Sequence, residues 1–82
     1  MAQLVRTTIY VRGRPHDFDD EKISFRQVVD FGYPNGPHGP LFEYDVSWKD
    51  GPKDEPEGIL KEGDYVAVVD AMRFDVKFTD KS

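Results

Sequence analysis

The chain has 82 residues, 38% hydrophobic and 33% charged, with a formal net charge of −5 and no cysteine. That length supports one small domain over residues 1–82, and that composition suits a folded, soluble domain and not a disordered one. The lack of cysteine excludes a disulfide framework and thiolate chemistry, and the negative balance argues against a nucleic-acid partner, whose phosphates it repels. No apolar run approaches the length of a membrane span, and "MAQLVRTT" lacks a signal-peptide core, so a cytoplasmic protein is expected, away from the membrane. Six Phe, four Tyr and one Trp must supply much of the core, because they bury the most area each.

In chain order, Val5, Thr7, Ile9 and Val11 share one face, and Arg6, Thr8 and Tyr10 share the other, which predicts a strand with one buried side. Arg12-Gly13 supplies a tight turn. A shorter return strand follows from about Arg14 to Phe18, and Pro15 places it at a sheet edge or bulge. Ser24 and Gln27 have the spacing of a capping box, Phe25, Val28 and Val29 form a helical stripe, and Gly32 stops the run. Asp19, Asp20 and Glu21 are expected just before the helix, where its dipole favours anions. "YPNGPHGP" (33–40) is a rigid loop, with Tyr33 placed to pack back on the core.

Phe42, Tyr44, Val46 and Trp48 then alternate with Glu43, Asp45 and Ser47 as another strand. An acidic, proline-bearing loop, "KDGPKDEPEG", precedes a turn at Glu62-Gly63 and a strand from about Tyr65 to Val69. The closing strand places Met72, Phe74, Val76 and Phe78 on the core side and Arg73, Asp75 and Lys77 outside. One helix covers one face of a sheet, and the alternation says that only one face needs covering. The order predicts an α+β β-grasp, a mixed four- to five-stranded sheet packed on one helix, with first and last strands as central parallel neighbours.

Motifs that carry catalysis are missing. "YPNGPHGP" follows a helix and lacks the Lys-Ser/Thr of a phosphate loop. "DFDDE" lacks the central Gly and distal Glu of a calcium loop. His16 and His38 have neither a cysteine partner nor a paired histidine, so no metal or other cofactor is expected. No nucleophile–base arrangement is visible, so no enzyme is expected.

The segments "IYVRGR", "KISFRQVV", "YPNGPHGP", "YDVSW", "PEGILKEGDYVAVVD" and "MRFDVKFTDKS", in this order and spacing, resemble ubiquitin-like β-grasp proteins of the bacterial multiubiquitin-domain type. The resemblance covers nearly the whole chain. It implies a protein modifier, activated at its carboxyl terminus by an E1-like enzyme and transferred by an E2-like enzyme to target proteins. It also implies a processing or deconjugating peptidase and an operon context associated with antiphage defence. The activated tail would be Thr79, Asp80, Lys81 and Ser82.

Familiar modifiers of this kind end in Gly-Gly, which threads an adenylating enzyme without a Cβ to clash. This chain ends in Asp-Lys-Ser. The activating enzyme takes a different tail, a peptidase trims it, the chain continues past residue 82, or the domain works without conjugation. The last case is a non-covalent module that docks on a partner protein; a sulfur carrier is a further option that the missing Gly-Gly weakens. Asp70-Ala71 is a second departure, since a Gly at the second position makes a better tight turn.

The partner surface implied is the open sheet face, with Arg6, Thr8 and Tyr10 beside Arg73, Asp75 and Lys77, and with Tyr10 and Tyr65 as candidate anchors. It lacks the aliphatic patch that ubiquitin's partners read, so recognition is expected to be polar and salt-sensitive. Lys22, Lys49, Lys53, Lys61, Lys77 and Lys81 could each accept a further modifier, and nothing in the sequence selects among them.

Overall fold

The computed structural model describes residues 6–36 and 42–80. β1 (Thr7–Val11) buries Thr7, Ile9 and Val11, and β2 (Arg14–Phe18) returns antiparallel to it with Pro15 opposite Tyr10. Arg12 (φ 54°) and Gly13 (φ 79°) make the predicted turn. Positive φ at both central residues matches the turn to the twist of the strands it joins. β2 is an edge strand, where the missing N–H of Pro15 costs no ladder bond.

The helix entrance differs from expectation. Lys22–Ser24 form a short strand, β3, which buries Ile23. The acidic run Asp19–Glu21 therefore lies before a strand, and the first turn of α1 (Phe25–Gly32) carries no acid. The predicted capping box does form. Ser24 Oγ accepts from the Gln27 N–H at 3.1 Å, and Gln27 Oε1 accepts from the Ser24 N–H at 2.9 Å. Val28 and Val29 are the buried residues of the helix.

β4 (Phe42–Lys49) and β5 (Gly58–Leu60) follow. β6 (Tyr65–Ala67) then pairs antiparallel with β3, as a two-stranded ribbon apart from the main sheet. The strand expected to reach Val69 stops at Ala67 because its partner is only three residues long. The Val68 N–H instead donates to the Glu21 carbonyl at 2.9 Å. The Met72 N–H closes the next turn onto the Val69 carbonyl at 3.2 Å, with Ala71 at φ 67°. Positive φ at a residue other than glycine confirms that Asp70-Ala71 is a costly turn. Two contacts tie it to β1: the Ala71 N–H donates to the Thr8 carbonyl at 2.7 Å, and Asp70 Oδ1 accepts from the Thr8 N–H at 2.9 Å.

β7 (Arg73–Asp80) completes a five-stranded sheet of order β2-β1-β7-β4-β5. β1 and β7 are parallel neighbours, in register at Tyr10–Arg73 and Val11–Phe74. β4 and β7 pair antiparallel from Phe42–Asp80 to Lys49–Arg73. The fifth strand is thus Gly58–Leu60, which is too short for alternation to reveal. The core lies between the sheet and α1, with Ile9, Val11, Ile23, Val28, Val46 and Met72 essentially inaccessible. Trp48 extends that core between Gly51 and Gly58, and its Nε1–H donates to the Glu55 carbonyl at 3.0 Å. The architecture is an α+β ubiquitin-like β-grasp.

Candidate partner surface and terminal strand

Residues out of phase with the core build the outer face of the sheet, and the register orders them in rows. The first row is Pro15, Tyr10, Arg73 and Lys49; the next holds Asp75, Ser47 and Ile59. Asp45 then lies opposite Lys77, and Glu43 opposite Thr79. Opposite charges face each other at Asp45–Lys77, whereas Lys49 and Arg73 set two cations directly opposite. Arg73 Nε also lies 3.6 Å from Asp50 Oδ2, with both side chains about two-thirds exposed. Solvent screens such a pair strongly.

A shallow hollow of about 790 Å³ opens on the first two rows, lined by Tyr10, Arg12, Gly13, Ser47, Lys49, Arg73, Phe74 and Asp75. The Arg12 guanidinium reaches toward the helix end, where Nη1–H donates to the Gly32 carbonyl at 3.1 Å and Cζ lies 4.2 Å from the Tyr33 ring centre.

Of the residues expected on this face, only Tyr10 and Arg73 are brought side by side; Thr8 lies at the Asp70-Ala71 turn ahead of β7, and Asp75 and Lys77 run on past β1 beside Ser47 and Asp45 of β4. Arg6 is exposed just ahead of β1. Tyr65 is elsewhere: β6 belongs to the β3 ribbon, so this 67% exposed ring borders a separate hollow with Asp20, Glu21, Lys22, Ser24 and Gln27. Sequence reasoning missed Ser47, Lys49 and Ile59 as parts of one surface. Lys49 continues the outer phase of Glu43, Asp45 and Ser47, and that signal was available. Ile59, 73% exposed, sits on a three-residue strand that gave no pattern to read.

The other end of β7 carries the tail. Thr79 is exposed, and Asp80 ends the strand in register with Phe42. Lys81 and Ser82 lie outside the described residues, as does His38. On the core side of this end, Phe78 has ring centres 5.9 Å from Tyr33, 6.1 Å from Tyr44 and 5.8 Å from Phe42. Burial pushes the Tyr44 phenol up from its usual range, and nearby Tyr33 adds to the shift. His16 lies against Phe31, ring centres 4.6 Å apart, with its buried Nε2 unpartnered among the described residues.

Among the described residues no three His, Cys, Asp or Glu side chains gather in a group that could hold a metal. No helix there is long and apolar enough to cross a membrane. In comparisons with known proteins, the multiubiquitin family model matches residues 7–80. Neither a curated protein nor a solved structure matches.

Proposed function

We propose a function from one premise: the chain belongs to the multiubiquitin family. The protein is a ubiquitin-like modifier, the acyl substrate of a conjugation relay and not its catalyst. Its terminal carboxylate attacks the α-phosphate of ATP on an E1-like enzyme; pyrophosphate leaves and an acyl-adenylate forms. An enzyme thiol then attacks the acyl carbon, AMP leaves, and the resulting thioester passes to an E2-like enzyme and on to a target nucleophile. The setting is a bacterial ubiquitination-like pathway with a processing peptidase and a role in antiphage defence.

The observation that supports this reading is the mounting of β7. It pairs with β4 along its whole length, from Arg73 to Asp80, and its first two residues also lie in register with β1. A strand held this way fixes Asp80 at one end of the fold, a firm base for a carboxylate offered to another protein's active site. A second reading, a non-covalent module that docks on a partner protein, is favoured by the outer hollow with its opposed cations.

Incubation with an E1-like enzyme of the proposed relay and ATP, followed by intact mass spectrometry, separates the two. The modifier reading expects a covalent adduct that disappears when Asp80–Ser82 are deleted. No adduct, with partner binding intact, overturns it in favour of docking.

A further inference from the structure

Lys49 and Arg73 stand directly opposite each other on neighbouring strands of the outer face. Like charges in that register destabilise a sheet. Asp50 approaches only Arg73, at 3.6 Å and well exposed, so it leaves Lys49 uncompensated by that contact. Of the charged side chains lining the hollow, Lys49 and Arg73 are cations and Asp75 is an acid, while the Arg12 guanidinium is engaged at the helix end. The chain as a whole has the opposite bias, with 16 acids and 11 bases. Tyr10 lies in register beside Arg73, and Ser47 lies between Asp75 and Ile59 in the adjoining row.

We propose that this hollow binds an acidic peptide segment of a partner protein, with a carboxylate seated between Lys49 and Arg73. That carboxylate relieves the like-charge pair. Arginine offers it a planar fork of donors and lysine a compact ammonium. Tyr10 packs against the segment, and the Ser47 hydroxyl is a further donor within the same hollow. Binding offsets a repulsion already present in the free protein, so the surface is selective for carboxylates despite a net charge of −5. The inference rests on the outer face being the partner surface and is independent of carboxyl-terminal activation.

The test is an amide-resolved NMR titration of the full chain with N-acetylated, amidated hexaglutamate, at low and at high sodium chloride. Shifts should concentrate at Tyr10, Ser47, Lys49, Arg73 and Asp75, and affinity should fall about tenfold or more at high salt. The double substitution K49E/R73E should abolish the shifts. Should it disturb the fold, K49Q alone should weaken binding several-fold, and the salt dependence of the unsubstituted chain still decides.

Shifts that are absent, scattered, or unchanged in K49Q overturn the proposal. So do shifts at these residues that appear on concentrating the protein without peptide, since a second copy would then be the occupant. The adduct assay reads the tail alone, so an adduct without hexaglutamate binding refutes this inference and leaves the modifier reading standing.

Discussion

Replacing Ala71 by glycine should stabilise the protein. Ala71 sits at φ 67° in the turn that launches β7. An L-residue in that region pays about 1–2 kcal/mol for the approach of its Cβ to the neighbouring carbonyl. Glycine removes that strain but gives the unfolded chain more freedom, at a cost of about 0.4–1 kcal/mol. The contacts that hold the turn are Ala71 N–H to the Thr8 carbonyl at 2.7 Å, Met72 N–H to the Val69 carbonyl at 3.2 Å and Thr8 N–H to Asp70 Oδ1 at 2.9 Å; none uses the Ala71 methyl, so glycine keeps all three. Ala71 is exposed, so its methyl contributes little burial. The net gain is between about 0 and 1.6 kcal/mol, with midpoints that leave about 0.8 kcal/mol, a rise in Tm of about 3–6 °C for a domain of this size. Thermal unfolding followed by circular dichroism measures it. Ala71→Val is the converse probe, since a β-branched residue tolerates this backbone worse, and it should lower Tm. A lower Tm in Ala71→Gly would refute the reasoning, and so would a Val variant as stable as the parent.

Gly58→Ala should be destabilising, because its Cβ would lie 2.7 Å from Trp48 Cζ2 and Cη2 while Gly51 confines the other side of the indole. Overpacking of this kind costs about 1–3 kcal/mol, and urea unfolding read by the single Trp will show it as a lower midpoint. Ser24→Ala removes half of the capping box and should cost about 1 kcal/mol in the same assay, whereas Ser24→Asp should keep most of it. Tyr44 ionises above its usual value near 10, so its neutral form favours the fold. Its contribution is fully present below that value and is lost as pH climbs through the raised one. Absorbance titration at alkaline pH should show a phenol ionising above the usual range that Tyr44→Phe lacks; an unchanged upper part of the curve in that variant would contradict the burial argument.

Much of the fold was legible because local patterns matched their surroundings. Alternation placed Ile9, Val11, Val46, Trp48, Phe74 and Val76 in the core, and all are buried. The Ser24–Gln27 spacing marked the start of α1, and Pro15 marked an edge strand. β3 and β5 escaped because three residues hold too little pattern to tell a strand from a loop. Missing β3 misplaced the acids 19–21 at the helix start and Tyr65 on the main sheet. The candidate surface was half legible. The phase of β1 and β7 brought out Thr8, Tyr10, Arg73, Asp75 and Lys77, but Lys49 and Ile59 joined them only through the pairing of β4 with β7 and β5.

The sequence by itself determined which side of each long strand is wet or dry, where the helix starts, and the order of the helix and the long strands. Those properties follow from side-chain polarity and backbone preference within a few residues. Only the tertiary structure decided the register, and register is a property of two strands at once. It set Lys49 opposite Arg73 and drew β6 away to β3. It also carried β7 past β1 to Asp80 with β4 alongside.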